Sequence, residues 1–138
     1  MEVIRSGFLL LWGEAKPPLV RIPPPFRPIS PQEAQLALEE EVRSLVQKGA
    51  VETVLDKRSP GFYARLFVVP KRTGGFRPIL DLSPLNVFLR HIRFRMETTK
   101  SVRLSLMPGD WVTSLDLTDA YFHVLIHRSH RKWLRFVW

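Results

Sequence analysis

Proline placement limits this chain more than any other feature of its sequence. Seven of the twelve prolines fall between Pro17 and Pro31, including the run Pro23, Pro24, Pro25. Each proline fixes φ near its own ring and removes a backbone donor, so a helix cannot cross this stretch and an extended, polyproline-like chain is favoured. Residues 1–29 therefore read as a proline-rich leader. It is open whether the leader is a linker, a strap laid across the domain or a ligand for a proline-binding module.

Beyond the leader the composition becomes that of a folded domain. The 138 residues hold 45% hydrophobic and 11% aromatic side chains, enough for one modest core and too few for a large multidomain enzyme. There is no cysteine, which removes disulfides and thiolate zinc sites and fits a cytoplasmic or nuclear setting. The longest apolar run, Phe8 to Trp12, is too short to cross a bilayer, so no membrane partner is expected. The net charge of +8 is unevenly distributed. Residues 1–57 carry seven Lys/Arg against eight Asp/Glu, a net of −1, whereas residues 58–138 carry fourteen against five, a net of +9. A basic half of this kind attracts polyanions by counterion release, although a merely solubilising surface has the same composition.

Hydrophobic spacing supplies the elements. Ser30 as cap, Pro31 at the first helical position and Glu33 closing a capping box predict a helix, with Ala34, Leu38, Val42, Leu45 and Val46 on one face and Gly49 at its end. A strand over Val51–Leu55 is expected next, then a loop at Arg58–Gly61. Tyr63–Val69 and Phe76–Leu82 flank the turn Thr73-Gly74-Gly75 and predict a β-hairpin, with Pro70 and Pro78 implying edges or irregular pairing. Short helices are expected from Ser83 to about Leu89 and, capped by Thr98, to about Leu106. Strands are expected over Trp111–Leu117, Phe122–Ile126 and Trp133–Trp138.

Two segments carry chemistry. In Ser114–Phe122, Asp116 emerges from an apolar run, and a strand-end carboxylate needs a partner such as Mg²⁺; capping of the following turn is the simpler alternative. On the hairpin, Lys71, Arg72 and Arg77 surround a glycine turn, a forked donor and a point charge suited to triphosphate oxygens, or else a solvated charged turn. His123, His127 and His130 lie among Arg128, Arg131 and Lys132, which favours phosphate contact or plain surface over zinc. Tyr121 and Phe122 are also compatible with core aromatics, and Asp81 with an ordinary ion pair.

LFVVPKRTGGFRPILDLSPLN (Leu66–Asn86) and GDWVTSLDLTDAYFHVLIHRSHRKWLRF (Gly109–Phe136) together resemble reverse transcriptases of LTR-type retroelements, of the DIRS-like and Gypsy-like kind. The resemblance extends over about Ser30–Trp138, with the leader matching only loosely. It implies an α+β fold, the fingers and truncated palm of a right-hand polymerase over residues 30–138. It implies that Asp116 is the first metal-binding aspartate, with the Leu117 carbonyl beside it, and that Mg²⁺ is the cofactor. The turn of Thr118, Asp119 and Ala120 would meet the triphosphate. Tyr121 would be the steric gate against a 2′-hydroxyl. Arg77 would pack on the incoming base and its phosphates, Lys71 would lie near the γ-phosphate, and Phe76 and Asn86 would shape the template side. The implied partners are an RNA or DNA template-primer, a dNTP and the remainder of the parent polymerase, and the implied reaction is attack of a primer 3′-hydroxyl on the α-phosphate.

The same family needs an aromatic-x-Asp-Asp segment, and this chain contains no adjacent Asp-Asp pair. A fragment of a larger polyprotein or a decayed element is therefore expected, inactive in polymerisation by itself. A non-catalytic basic nucleic-acid-binding module is the rival reading. A haloacid-dehalogenase-like phosphatase would want an acid where Thr118 stands, and a P-loop nucleotidase would want Gly-Lys-Ser/Thr after Gly75.

Overall fold

A computed structural model of the chain describes residues 5–118 and 120–138. Its longest element is helix α1, Gln32–Gln47. Ala34, Leu38 and Val42 recur at fourfold spacing and are its buried residues, as the apolar stripe predicts. The cap is not the expected one. Pro31 occupies the N-cap with an extended backbone (φ −74°, ψ 172°), and its carbonyl accepts from the Ala34 N–H at 3.0 Å. Proline has no side-chain acceptor, so the capping box from Ser30 does not form. The Gln35 side chain instead accepts the Ile29 N–H at 3.1 Å. At the other end Gly49 takes φ +69°, a left-handed position that lets the helix terminate.

The expected hairpin is present as β1, Arg65–Pro70, and β2, Phe76–Asp81, antiparallel, with Pro70 opposite Phe76 and Arg65 opposite Asp81. Pro78 faces Val68, and proline is tolerated there because a two-stranded sheet consists only of edges. Helix α1 packs on both strands. Helix α2, Ser83–Asn86, starts two residues beyond β2. The Asp81 carboxylate accepts the Ser83 N–H at 3.0 Å, and its hydrogen bonding with Ser83, helped by Arg65 opposite, holds its pKa below the ordinary value. Helix α3, Thr99–Ser105, forms with the expected Thr98 cap, in which Thr98 and Ser101 satisfy each other's backbone N–H.

Four expected strands are absent. Residues 51–55 run without a ladder partner, and Leu55 is 92% exposed. Residues 111–117 are irregular and exposed, with Trp111 fully so. Ala120–His123 and Arg128–Trp133 are 3₁₀ turns, and Ile126 and Arg135 make only isolated bridges, to Phe8 and Tyr63. A strand is defined by its neighbour. No second strand among the described residues pairs with any of these four apolar runs, so their β propensity is not realised. The result is a small α+β architecture with a two-stranded antiparallel sheet, and no described helix is long and apolar enough to cross a membrane.

The main cluster of buried residues joins distant parts of the sequence: Leu10, Leu85 and Trp133, surrounded by Trp12, Leu19, Phe62, Leu82, Leu89 and Leu134. The leader thus supplies core. Phe8 donates to the Leu125 carbonyl at 2.6 Å, Gly13 to that of Phe88 at 2.8 Å, and Val20 and Gly61 exchange two bonds of 2.9 Å. A Cβ at Gly61 would lie 2.5 Å from the Arg135 side chain, so the arginine would have to move, and its guanidinium now donates to the Ser59 carbonyl and hydroxyl.

Candidate functional site

The hairpin tip is the best-formed candidate. Pairing of Val69 with Arg77 and of Pro70 with Phe76 brings the strand ends together, and the Lys71 N–H donates to the Gly75 carbonyl at 2.9 Å to close the loop. Gly74 and Gly75 adopt φ of +91° and +75°, a conformation costly for any residue with a Cβ. Val69, Pro70, Lys71, Arg72, Thr73 and Arg77 line a cleft of about 280 Å³. Lys71, Arg72 and Arg77 are exposed, none has an ion-pair partner among the described residues, and no carboxylate lines the cleft. Three cations on a short exposed turn, with no carboxylate lining the cleft, concentrate positive potential where an oligophosphate can reach it.

The second group of sequence-predicted residues is elsewhere and less organised. Asp116 and Leu117 lie in the exposed irregular segment, Ala120 opens a 3₁₀ turn, and Tyr121 is 94% exposed. Asp119 lies outside the described residues. None of Asp116, Leu117, Ala120 or Tyr121 lines the hairpin cleft. The turn is held by a contact between His123 Nε2 and the Thr118 carbonyl at 3.0 Å. Asp116 is not at the end of a strand, because residues 111–117 form none. Among the described residues no three His, Cys, Asp or Glu side chains are grouped to hold a metal ion. One carboxylate with a neighbouring carbonyl is an incomplete Mg²⁺ site, so these residues alone do not fit a two-metal centre. Phe76 is half-buried at the start of β2, and Asn86 ends α2 exposed.

The structure also contains a polar junction that no motif in the sequence announces. His130 Nδ1 accepts the Leu10 N–H at 2.9 Å, across 120 positions. Its ring lies 5.7 Å from Trp12 and 5.1 Å from Trp133, with His127 at 6.4 Å. Lys132 and Lys16 stand over the Trp133 ring at 4.6 and 5.8 Å. Burial first, then His127, Lys16 and Lys132, push the His130 pKa below its ordinary value. A ring nitrogen that accepts a backbone N–H is unprotonated, so geometry and electrostatics agree. Beside it the indole N–H groups of Trp12 and Trp133 are buried with no hydrogen-bond partner among the described residues.

Comparison with known proteins adds one relationship. No protein-family profile matches the chain, and no solved structure does. Over its whole length, in an alignment of 154 positions, the chain is 26% identical to the Gag-Pol polyprotein of feline leukemia virus, of which it spans 9%. The chain is thus a distant relative of a short region of a retroviral Gag-Pol polyprotein.

Proposed function

We propose that the chain is the fingers hairpin and first palm segment of an RNA-directed DNA polymerase belonging to a longer polyprotein. Its own part is to hold template-primer and a dNTP by their phosphates. The observation that carries this reading is the hairpin tip, where Lys71, Arg72 and Arg77 line one cleft with no counter-charge among the described residues. The distant relationship to a Gag-Pol polyprotein supports it. In this reading Lys71 and Arg77 take the β- and γ-phosphates and the incoming base, Asp119 and Ala120 present their N–H groups to the triphosphate, and Tyr121 excludes a 2′-hydroxyl. Asp116 and the Leu117 carbonyl contribute one part of a metal site completed by the remainder of the parent polymerase.

The exposure of Asp116 favours a second reading, a basic nucleic-acid-binding module without catalysis. One titration separates the two. Fluorescence anisotropy of a labelled primer-template duplex should show salt-dependent binding. Arg77→Ala and Lys71→Ala should each lower the slope of log K against log salt by about one contact. Competition by dATP at the same cations supports the polymerase reading, and its absence supports the module. Binding that neither substitution changes refutes both. The chain alone should give no primer extension, with or without Asp116→Ala.

A further inference from the structure

The polyphosphate reading leaves the leader between Arg21 and Pro28 unexplained. Prolines fix φ at 23, 24, 25 and 28, and the residues before them, 22, 23, 24 and 27, are restricted to extended backbone. A polyproline helix has three residues per turn, so every third side chain shares an edge. The chain bends at Arg21 and Ile22, so this periodicity applies from Pro23 onward: Pro23, Phe26 and Ile29 share one edge, with Phe26 44% exposed and Ile29 half-buried. Pro25 and Pro28 share a second, apolar edge and Pro24 and Arg27 a third, all exposed. At the bend Arg21 is exposed and Ile22 is 83% exposed, and Ile22 and Pro24 border an open cleft with Phe62 and Tyr63.

Both ends of the stretch are fixed. Val20 exchanges two hydrogen bonds of 2.9 Å with Gly61, and the Ile29 N–H is held by Gln35 at 3.1 Å. Between these anchors no residue from 21 to 28 donates or accepts a backbone hydrogen bond within the described chain. The segment is a bow, tied at each end, with its carbonyls and two chemically distinct edges presented outward. Binding such a segment costs little ordering entropy, because the prolines and the anchors have already removed most of its freedom.

We propose that residues 21–28 are a docking ligand for a proline-recognition module of the SH3 type. Its aromatic-walled groove would take Pro25 and Pro28, and its acidic rim would take Arg27 and, across the bend, Arg21. Nucleic acid is the weaker occupant on charge alone. Residues 1–57 carry a net −1, and the excess of +9 lies in residues 58–138. Two arginines separated by five apolar residues match a rim better than a phosphate backbone.

The test uses the full chain titrated into ¹⁵N-labelled SH3 domains from a panel with acidic rims, alongside a labelled oligonucleotide. At least one domain should show shifts confined to its aromatic groove. Pro25→Ala with Pro28→Ala should weaken that binding about tenfold or more, and Arg21→Ala with Arg27→Ala should weaken it several-fold and remove its salt dependence. Unchanged far-ultraviolet circular dichroism will show that the variants fold. No shift in any domain overturns the proposal, as does binding indifferent to the two prolines. Loss of oligonucleotide binding on removing the two arginines, without module binding, assigns the bow to nucleic acid instead. Because Lys71 and Arg77 lie outside the bow, either proposal can fail without the other.

Discussion

Replacing Leu85 by alanine tests whether the cluster of Leu10, Leu85 and Trp133 holds the chain together. Leu85 is 1% exposed and is ringed by side chains from the leader, the α2 region and the last 3₁₀ turn. The substitution removes three carbons, worth about 2.4 kcal/mol at roughly 0.8 kcal/mol each. The neighbouring indoles of Trp12 and Trp133 contact each other at 4.7 Å and are too rigid to collapse into the space, so a cavity cost adds to this. The total is about 3–4 kcal/mol, a large share of the roughly 5–15 kcal/mol that stabilises a typical domain. Urea unfolding followed by tryptophan emission is well suited to the measurement. Trp12 and Trp133 report on the cluster, while Trp111, fully exposed, contributes a nearly constant background. Leu104→Ala, at a side chain 78% exposed, is the control and should cost less than about 0.5 kcal/mol. A Leu85→Ala cost below about 1 kcal/mol with an unchanged m-value would refute the argument that this cluster carries the fold.

Two other outcomes are expected. His130 is held neutral in the folded chain, with its pKa below the ordinary 6.5, by burial and by His127 and Lys132 on its own turn and Lys16 from the leader. Its contribution is therefore complete above about pH 6.5 and is lost as pH falls from 6.5 through the lowered folded value. Urea midpoints measured from about pH 7.5 to 5 should decline over that window, and His130→Ala should be less stable at about pH 7.5 with a flatter decline; equal slopes in the two proteins would sink the assignment. Thr98→Ala removes a cap worth about 1 kcal/mol from α3, a helix with no buried residue. Hydrogen exchange should accelerate within residues 99–105 while global unfolding stays unchanged, and a shift of the global transition would contradict the helix's independence.

How much of this was legible in advance depends on the range of the interaction. Helix α1 and the hairpin are specified by neighbours: the Ala34, Leu38, Val42 spacing and the glycine turn between β1 and β2 act within a few residues. The basic cleft was legible for the same reason, since a hairpin turn places Lys71 and Arg77 together without help from the rest of the chain. The apolar run 111–117 has the composition of a buried strand, but composition does not supply a ladder partner, and Asp116 sits exposed as a consequence. The leader was legible only as one of several alternatives, of which a strap across the domain agrees with its packing. Its prolines exclude helix, yet Leu10, Trp12 and Leu19 between and before them pack against residues more than forty positions away, Phe62 and Leu85 among them. His130 gave no sign of its role because its partner is a backbone N–H, which every non-proline residue has.

The span of the central cluster has a consequence for the order in which the chain can fold. Leu10 is synthesised well over a hundred residues before Trp133, so the cluster that receives it is not complete until the last 3₁₀ turn has been made. Helix α1 and the hairpin need only local closure and can form early, whereas docking of Leu10 and Trp12 must close a loop of some 120 residues, the separation of Leu10 from His130. During that interval one side of Leu10 and Trp12 is uncovered, and a nascent chain interrupted before Trp133 would keep its helix, its hairpin and the leader's bonds to Gly61 and Phe88 while lacking the indole that closes the cluster.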